Sequence, residues 1–234
     1  TISFQMKNDV AIYGGFAGWE GTVDERNNWG IGQVNETILS GDLKDNDGKP
    51  SEDFAENAYH VVYNSGINST AIIDGFTITG GNANGDDYAG TGGGIYNSTS
   101  SPTITNCSLK LNFADRGGGG IYNLNSSPTL THCLISNNHT SFGGGGVFNN
   151  ASSLRLTSCT ISDNLSVVPG GGGIFNTTSS IVLVNCIIKY NWGEHGGGIC
   201  NENSSTSDLF NCIISENGAD GWGGGLSNSN SLTT

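Results

Sequence analysis

Two acids hold matching places in this sequence. Asp163 follows Cys159 by four residues, and Glu216 follows Cys212 by four. Paired carboxylates can act as general acid and base when a scaffold fixes their separation. If the segments that carry them stack as strands, two steps of about 4.8 Å put them roughly 9.6 Å apart. That is the upper edge of the spacing used in inverting glycoside hydrolysis. Tyr190 takes the step between them. The competing reading is two solvated turn acids. No catalytic residue is assigned beyond this pair.

Three other groups could do chemistry. In GDLKDNDGK, Asp42, Asp45 and Asp47 precede Gly48, as alternating acids do in calcium loops. The full calcium-loop pattern fails, because its first and twelfth places would be Leu43 and Phe54. A calcium loop and a solvated turn both stay open, and calcium is the single cofactor candidate. Six cysteines contain no C-x-x-C pair, so buried thiols are expected over a metal centre. Four histidines form no H-E-x-x-H motif, and no G-x-S-x-G elbow occurs.

The elements that must position these groups are visible as a repeat. GGGIYN at 92–97 recurs as GGGIYN, GGGVFN, GGGIFN, GGGICN and GGGLSN. The apolar residues after the triplets are Ile95, Ile121, Val147, Ile174, Ile199 and Leu226. A second column, Cys107, Cys133, Cys159, Cys186 and Cys212, runs in phase, with steps of 26, 26, 27 and 26 residues. Five residues after each comes Asn112, Asn138, Asn164, Asn191 or Asn217. The triplets end in neither GK[ST] nor a dinucleotide fingerprint, so they read as backbone corners and not phosphate loops.

The segments between are strand-like and lack a helical apolar stripe. A 26-residue unit is one coil of a parallel β-helix, with about three short strands and turns between them. The expected fold class is all-β, a single right-handed parallel β-helix. Length over period gives about eight or nine coils. One domain spans 1–234, with irregular coils and long loops in 1–90 and regular coils in 91–234. In the irregular part Phe76 takes the cysteine place and Ile78 the next apolar place. Inward columns are the Ile/Leu/Val and Cys positions, and the Asn columns form hydrogen-bonded ladders.

The hexamer aromatics Tyr96, Tyr122, Phe148 and Phe175 are expected to face outward. They would form either a stabilising stack or a sticky stripe for sugar or protein. Trp192 and Trp222, on the loops before two hexamers, would extend it. Cys200 replaces an aromatic in this column, so it too is expected outside, as a reactive thiol or one that pairs between chains.

Composition bounds the partners. Net charge is −13 with eight Lys and Arg, which argues against nucleic acid and anionic membranes. No apolar run reaches the length of a membrane-spanning helix. Among many Asn-x-Ser/Thr sequences, Asn68, Asn125, Asn150 and Asn203 are the better glycosylation candidates, whereas ladder residues such as Asn138 should be shielded.

The combination GGG-[IV]-[YF]-N with [IL]-x-x-C-x-[IL]-x-x-N resembles the right-handed parallel β-helix repeats of bacterial and archaeal surface proteins. It is similar, more loosely, to repeats of chlamydial polymorphic outer membrane proteins. FQMKNDVAIYGGFAGWE resembles the start of such domains in large secreted proteins. The resemblance implies an extracellular or cell-surface location. The same fold carries polysaccharide lyases and hydrolases, but a lyase-like site needs a basic residue beside its acids. Lys110 and Lys189 share a column yet lie roughly 14 Å apart, and Arg155 sits elsewhere.

Phe4, set on the cysteine column, puts Met6 and Asp9 on the next two columns, so the end of one copy would be nearly in phase with the start of another. Two readings follow: head-to-tail stacking of copies, or a piece of a longer β-helix. The expected function is a non-enzymatic extracellular structural or adhesive protein. The rival is a carbohydrate-active or sugar-binding β-helix.

Overall fold

The computed structural model describes residues 2–26, 34–46 and 54–234. The chain winds as a parallel β-helix. A regular coil carries four strands, not the three expected: Ile121–Leu124, Thr129–Thr131, Leu134–Ser136 and His139–Phe142. The fourth was hidden because in the preceding coil it is only Phe113–Ala114, too short to alternate visibly.

Stacking builds four parallel sheets. The first runs seven strands, from Val62–Ser65 to Leu226–Ser229. The second runs eight, from Ala11–Tyr13 to Leu232–Thr233. The third has seven, starting at Thr37–Ser40, and the fourth has six, starting at Asn82–Ala83. Register is residue on residue: Ile121 lies on Val147, Leu130 on Leu156, and Ile135 on Ile161. Thr77 lies on Ser108, which places Phe76 and Ile78 on the Cys107 and Leu109 columns as expected.

Strands stay short because left-handed residues end them. In this coil Asn125, His132 and Asn137 have φ of 49°, 51° and 55°. The next coil repeats the three corners with Ala151, Ser158 and Asp163. Such backbone costs about 1–2 kcal/mol per non-glycine residue, and the ladders that follow each corner offset it. The fourth corner is the glycine triplet. A Cβ on Gly120 would lie 2.6 Å from the Gly146 carbonyl oxygen, so the coils approach too closely for a side chain.

The interior is one continuous apolar column of Ile, Leu, Val and Cys. Two asparagine ladders line it. Asn97, Asn123, Asn149, Asn176 and Asn201 each donate Nδ2 to the next Oδ1 at 2.7–2.8 Å, ending on Asn228. In the second, Asn138 Nδ2 donates to Asn164 Oδ1 at 3.1 Å and to the Ile135-side column through Leu109 O. A serine ladder accompanies them: the backbone N–H of Ser100, Ser126, Ser152 and Ser179 each donates to the next serine Oγ.

The irregular first part is held by a buried ion pair. Arg26 Nη2 lies 3.2 Å from Asp74 Oδ2, with little of either side chain exposed. Arg26 also donates to Gly14 O, and Asn106 donates to Asp74. The expected phase of the first residues is corrected: Phe4 bridges Val62 in the first sheet, not the cysteine column. Phe4 N–H donates to Val61 O, and Tyr63 N–H donates to Phe4 O, both at 2.9 Å.

Candidate binding face

The hexamer aromatics point away from the interior, but they are not an exposed stripe. Tyr96 and Phe175 are 2% and 3% exposed, and Tyr122 and Phe148 are nearly as buried. They form a second apolar cluster with Cys200, flanked by Tyr63 and Leu124. The chain entering each glycine corner folds back across the rings. A Cβ on Gly117 would fall 2.1 Å from the Phe148 ring. Glycine therefore makes the bend and also leaves room for the aromatic. Neighbouring rings lie 4.9–5.7 Å apart between centroids from Tyr63 through Phe175, stacked from Tyr63 to Tyr122 and edge-to-face from Tyr122 to Phe175. Burial pushes the Tyr96 hydroxyl up to about 12. Cys200 is corrected with the column: it is 1% exposed, and its burial raises its thiol to about 12.

The exposed aromatic surface lies one sheet earlier. On the fourth sheet, alternation buries Ala114, Thr140, Ser166 and Gly193 and turns their neighbours out. Phe113, His139, Leu165 and Trp192 then stack as one outward column. Phe142 lies on Val168 in a second column. At the far end the Trp222 ring stacks on its register partner His195 at 4.8 Å and 17°. Trp192 is 47% and Trp222 73% exposed. Both sit in strands, Trp192–His195 and Gly218–Trp222, not in loops. The Trp192 indole spreads over Gly218, where a Cβ would be 2.2 Å from the ring, and its Nε1 donates to Asp220 at 3.4 Å. Phe142, Leu165, Val167 and Val168 extend the exposed apolar surface over the two preceding coils.

The paired acids border this face. Asp163, Tyr190 and Glu216 take the same left-handed corner in successive coils, with φ of 56–58°. All three are solvent-exposed. A hydrogen bond to Glu216 is the main cause of a raised Tyr190 hydroxyl, and Asp163 adds to it. Tyr190 takes this corner in the coil between those of Asp163 and Glu216. Lys110 is turned away and bound to Glu36 at 3.2 Å. Lys189 lies over the Tyr190 ring. These corners form a polar edge beside the aromatic surface.

A family model described as right handed beta helix region matches residues 61–234. The chain belongs to this family. No curated protein and no solved structure gives a significant match. Membership gives the right hand of the coil, and the strand pairing sets Trp192 on Leu165.

The remaining candidates also find places within this β-helix. Cys107, Cys133, Cys159 and Cys186 are buried free thiols in the core column, and Cys212 is half-buried. Burial pushes the Cys107 thiol up to about 12, and hydrogen bonding to its column neighbour Cys133 raises Cys159 to about 12. In the acidic loop, Asp42 Oδ1 accepts the backbone N–H groups of Lys44 and Asn46, and Asp47 lies outside the described residues. Among the described residues no three His, Cys, Asp or Glu side chains gather as a metal site. Asn68, Asn125 and Asn203 are exposed, Asn150 is half-buried against the Tyr122 hydroxyl, and Asn138 is buried as expected. Among the described residues no helix is long and apolar enough to cross a membrane.

Proposed function

We propose that this β-helix is a non-enzymatic extracellular protein, structural and adhesive, that holds a partner on the outer face of its fourth sheet. The observation that carries the reading is the run of exposed aromatic and aliphatic side chains from Phe142 through Leu165, Val167 and Val168 to Trp192 and Trp222. A surface of this kind on a rigid solenoid is suited to contact, because its side chains lose little entropy on binding. The same columns set outward groups about 4.8 Å apart along the axis, a spacing suited to extended ligands such as glycan chains.

Two further observations support an adhesive over a catalytic role. Asp163 and Glu216 are exposed, and Tyr190 takes the equivalent corner in the coil between theirs. The exposed Asn68, Asn125 and Asn203 suit an extracellular glycoprotein. Head-to-tail stacking of copies belongs to the same reading, since ladder and strand register run unchanged through Asn201 and Asn228.

The test is a glycan and surface-protein array probed with the purified chain and with Trp192→Ala and Trp222→Ala. Captured ligand that is lost in both variants supports the reading. Equal capture by both variants and the parent overturns it. Sedimentation velocity at rising concentration tests the stacking: a single monomer boundary throughout removes it.

A further inference from the structure

At the end of the fourth-sheet face away from the tryptophans, a cleft of about 720 Å³ opens onto the otherwise buried aromatic column. Tyr122 and Phe148 form its floor. Its walls are Tyr88, 64% exposed on the short helical turn Asp87–Gly90, and Phe142, 42% exposed at the end of its strand. At the rim, Arg116 Nη1 stands 3.9 Å from Asp87 Oδ1, and both side chains are more than half exposed.

These groups are held in place. Arg116 N–H donates to Gly90 O at 2.7 Å, and the arginine stem packs where a Gly90 side chain would be. Phe142 is fixed by the Thr140 hydroxyl, which donates to its carbonyl at 2.8 Å. Asn150 Nδ2 donates to the Tyr122 hydroxyl at 3.4 Å, leaving that hydroxyl's own proton for another acceptor.

We infer that this cleft binds one ring of a neutral glycan. Charge selects the class. A chain of net charge −13 repels an anionic ligand, and the pairing of Arg116 with Asp87 leaves the rim itself with no net charge to hold an ion. An uncharged pyranose meets both. Its apolar face lies against Tyr88 and Phe142, and adjacent hydroxyls bridge Asp87 as acceptor and Arg116 as donor. The exposed ion pair contributes at most about 1 kcal/mol, so a polyol can open it readily. The volume falls within the roughly 300–1,000 Å³ of small-molecule sites. This deepens the adhesive reading by naming a ligand class, and it does not depend on the tryptophans.

The experiment is an NMR titration of the full chain with neutral hexaoses of glucose and mannose in several linkages, and with a hexauronate of the same length. At least one neutral hexaose should shift the Tyr88 and Phe142 resonances. Its affinity should fall about tenfold in Tyr88→Ala and in Asp87→Asn, and stay unchanged in Trp192→Ala. Tyr88 is exposed, so its removal leaves the fold intact. The inference is overturned if no neutral hexaose moves these resonances or if the hexauronate binds more tightly. Shifts confined to Trp192 and Trp222 also overturn it, while leaving the adhesive face standing.

Discussion

Truncating Asn164 to Ala should be among the most damaging single polar changes in the chain. Its buried amide makes four hydrogen bonds. Oδ1 accepts from Asn138 N–H at 3.0 Å and from Asn138 Nδ2 at 3.1 Å. Nδ2 donates to Ile135 O at 2.9 Å and to Asn191 Oδ1 at 2.9 Å. Alanine removes all four and leaves three neighbours short of a partner where water does not reach. At about 1 kcal/mol net for each bond, the loss is about 4 kcal/mol. Asn149, in the other ladder, is the control of equal size. It accepts from Asn123 and donates to Asn176, so Asn149→Ala should lose about 2 kcal/mol. Urea unfolding followed by far-ultraviolet circular dichroism reads the difference. With a slope of about 3 kcal/mol per molar, the midpoints should fall by roughly 1.3 M and roughly 0.7 M. Equal losses, or losses below about 1 kcal/mol in both, would refute a ladder energetics built from counted bonds.

Three further outcomes are expected. In the folded chain at neutral pH, alkylation should reach Cys212 alone, and denaturant should expose all six thiols, read by mass spectrometry. The folded thiols of Cys107, Cys159 and Cys200 lie near 12, above the ordinary 9.0. Unfolded thiols lose protons first, so their contribution is complete below about pH 9 and is lost as pH rises toward about 12. Arg26→Ala should cost about 3–5 kcal/mol by stranding the buried Asp74 carboxylate. The melting temperature should drop by roughly 10 °C, with partial recovery when Asp74→Asn is added. Glu216→Gln should bring the raised Tyr190 titration back toward that of an ordinary tyrosine, followed by carbon NMR of the ring.

Much of the fold was legible because stacking turns sequence period into spatial column. Cys107, Cys133 and Cys159 had to face one way, and they do. The fourth strand was not, because two residues such as Phe113 and Ala114 carry no alternation. The aromatic column was assigned the right direction and the wrong exposure. Direction follows from alternation along Ile121 and Tyr122, but exposure depends on how the chain around Gly117 folds back, and only three-dimensional packing decides that. The Arg26–Asp74 pair joins residues 48 apart with no motif to mark it. The left-handed corners at Leu111 and Tyr190 run against local preference; the following ladder asparagine imposes them. Trp192 and Trp222 stand out by type alone, whereas Leu165, on which Trp192 lies, looks like an ordinary strand residue until the register is known.

The central claim is binding without catalysis at the fourth-sheet face. The most direct measurement incubates the chain with the polysaccharide it captures and sizes the polymer over time, alongside Trp192→Ala and Asp163→Ala. The polymer should keep its length, retained by the parent and by Asp163→Ala and released by Trp192→Ala. Shortening of the polymer by the parent that stops in Asp163→Ala would contradict it.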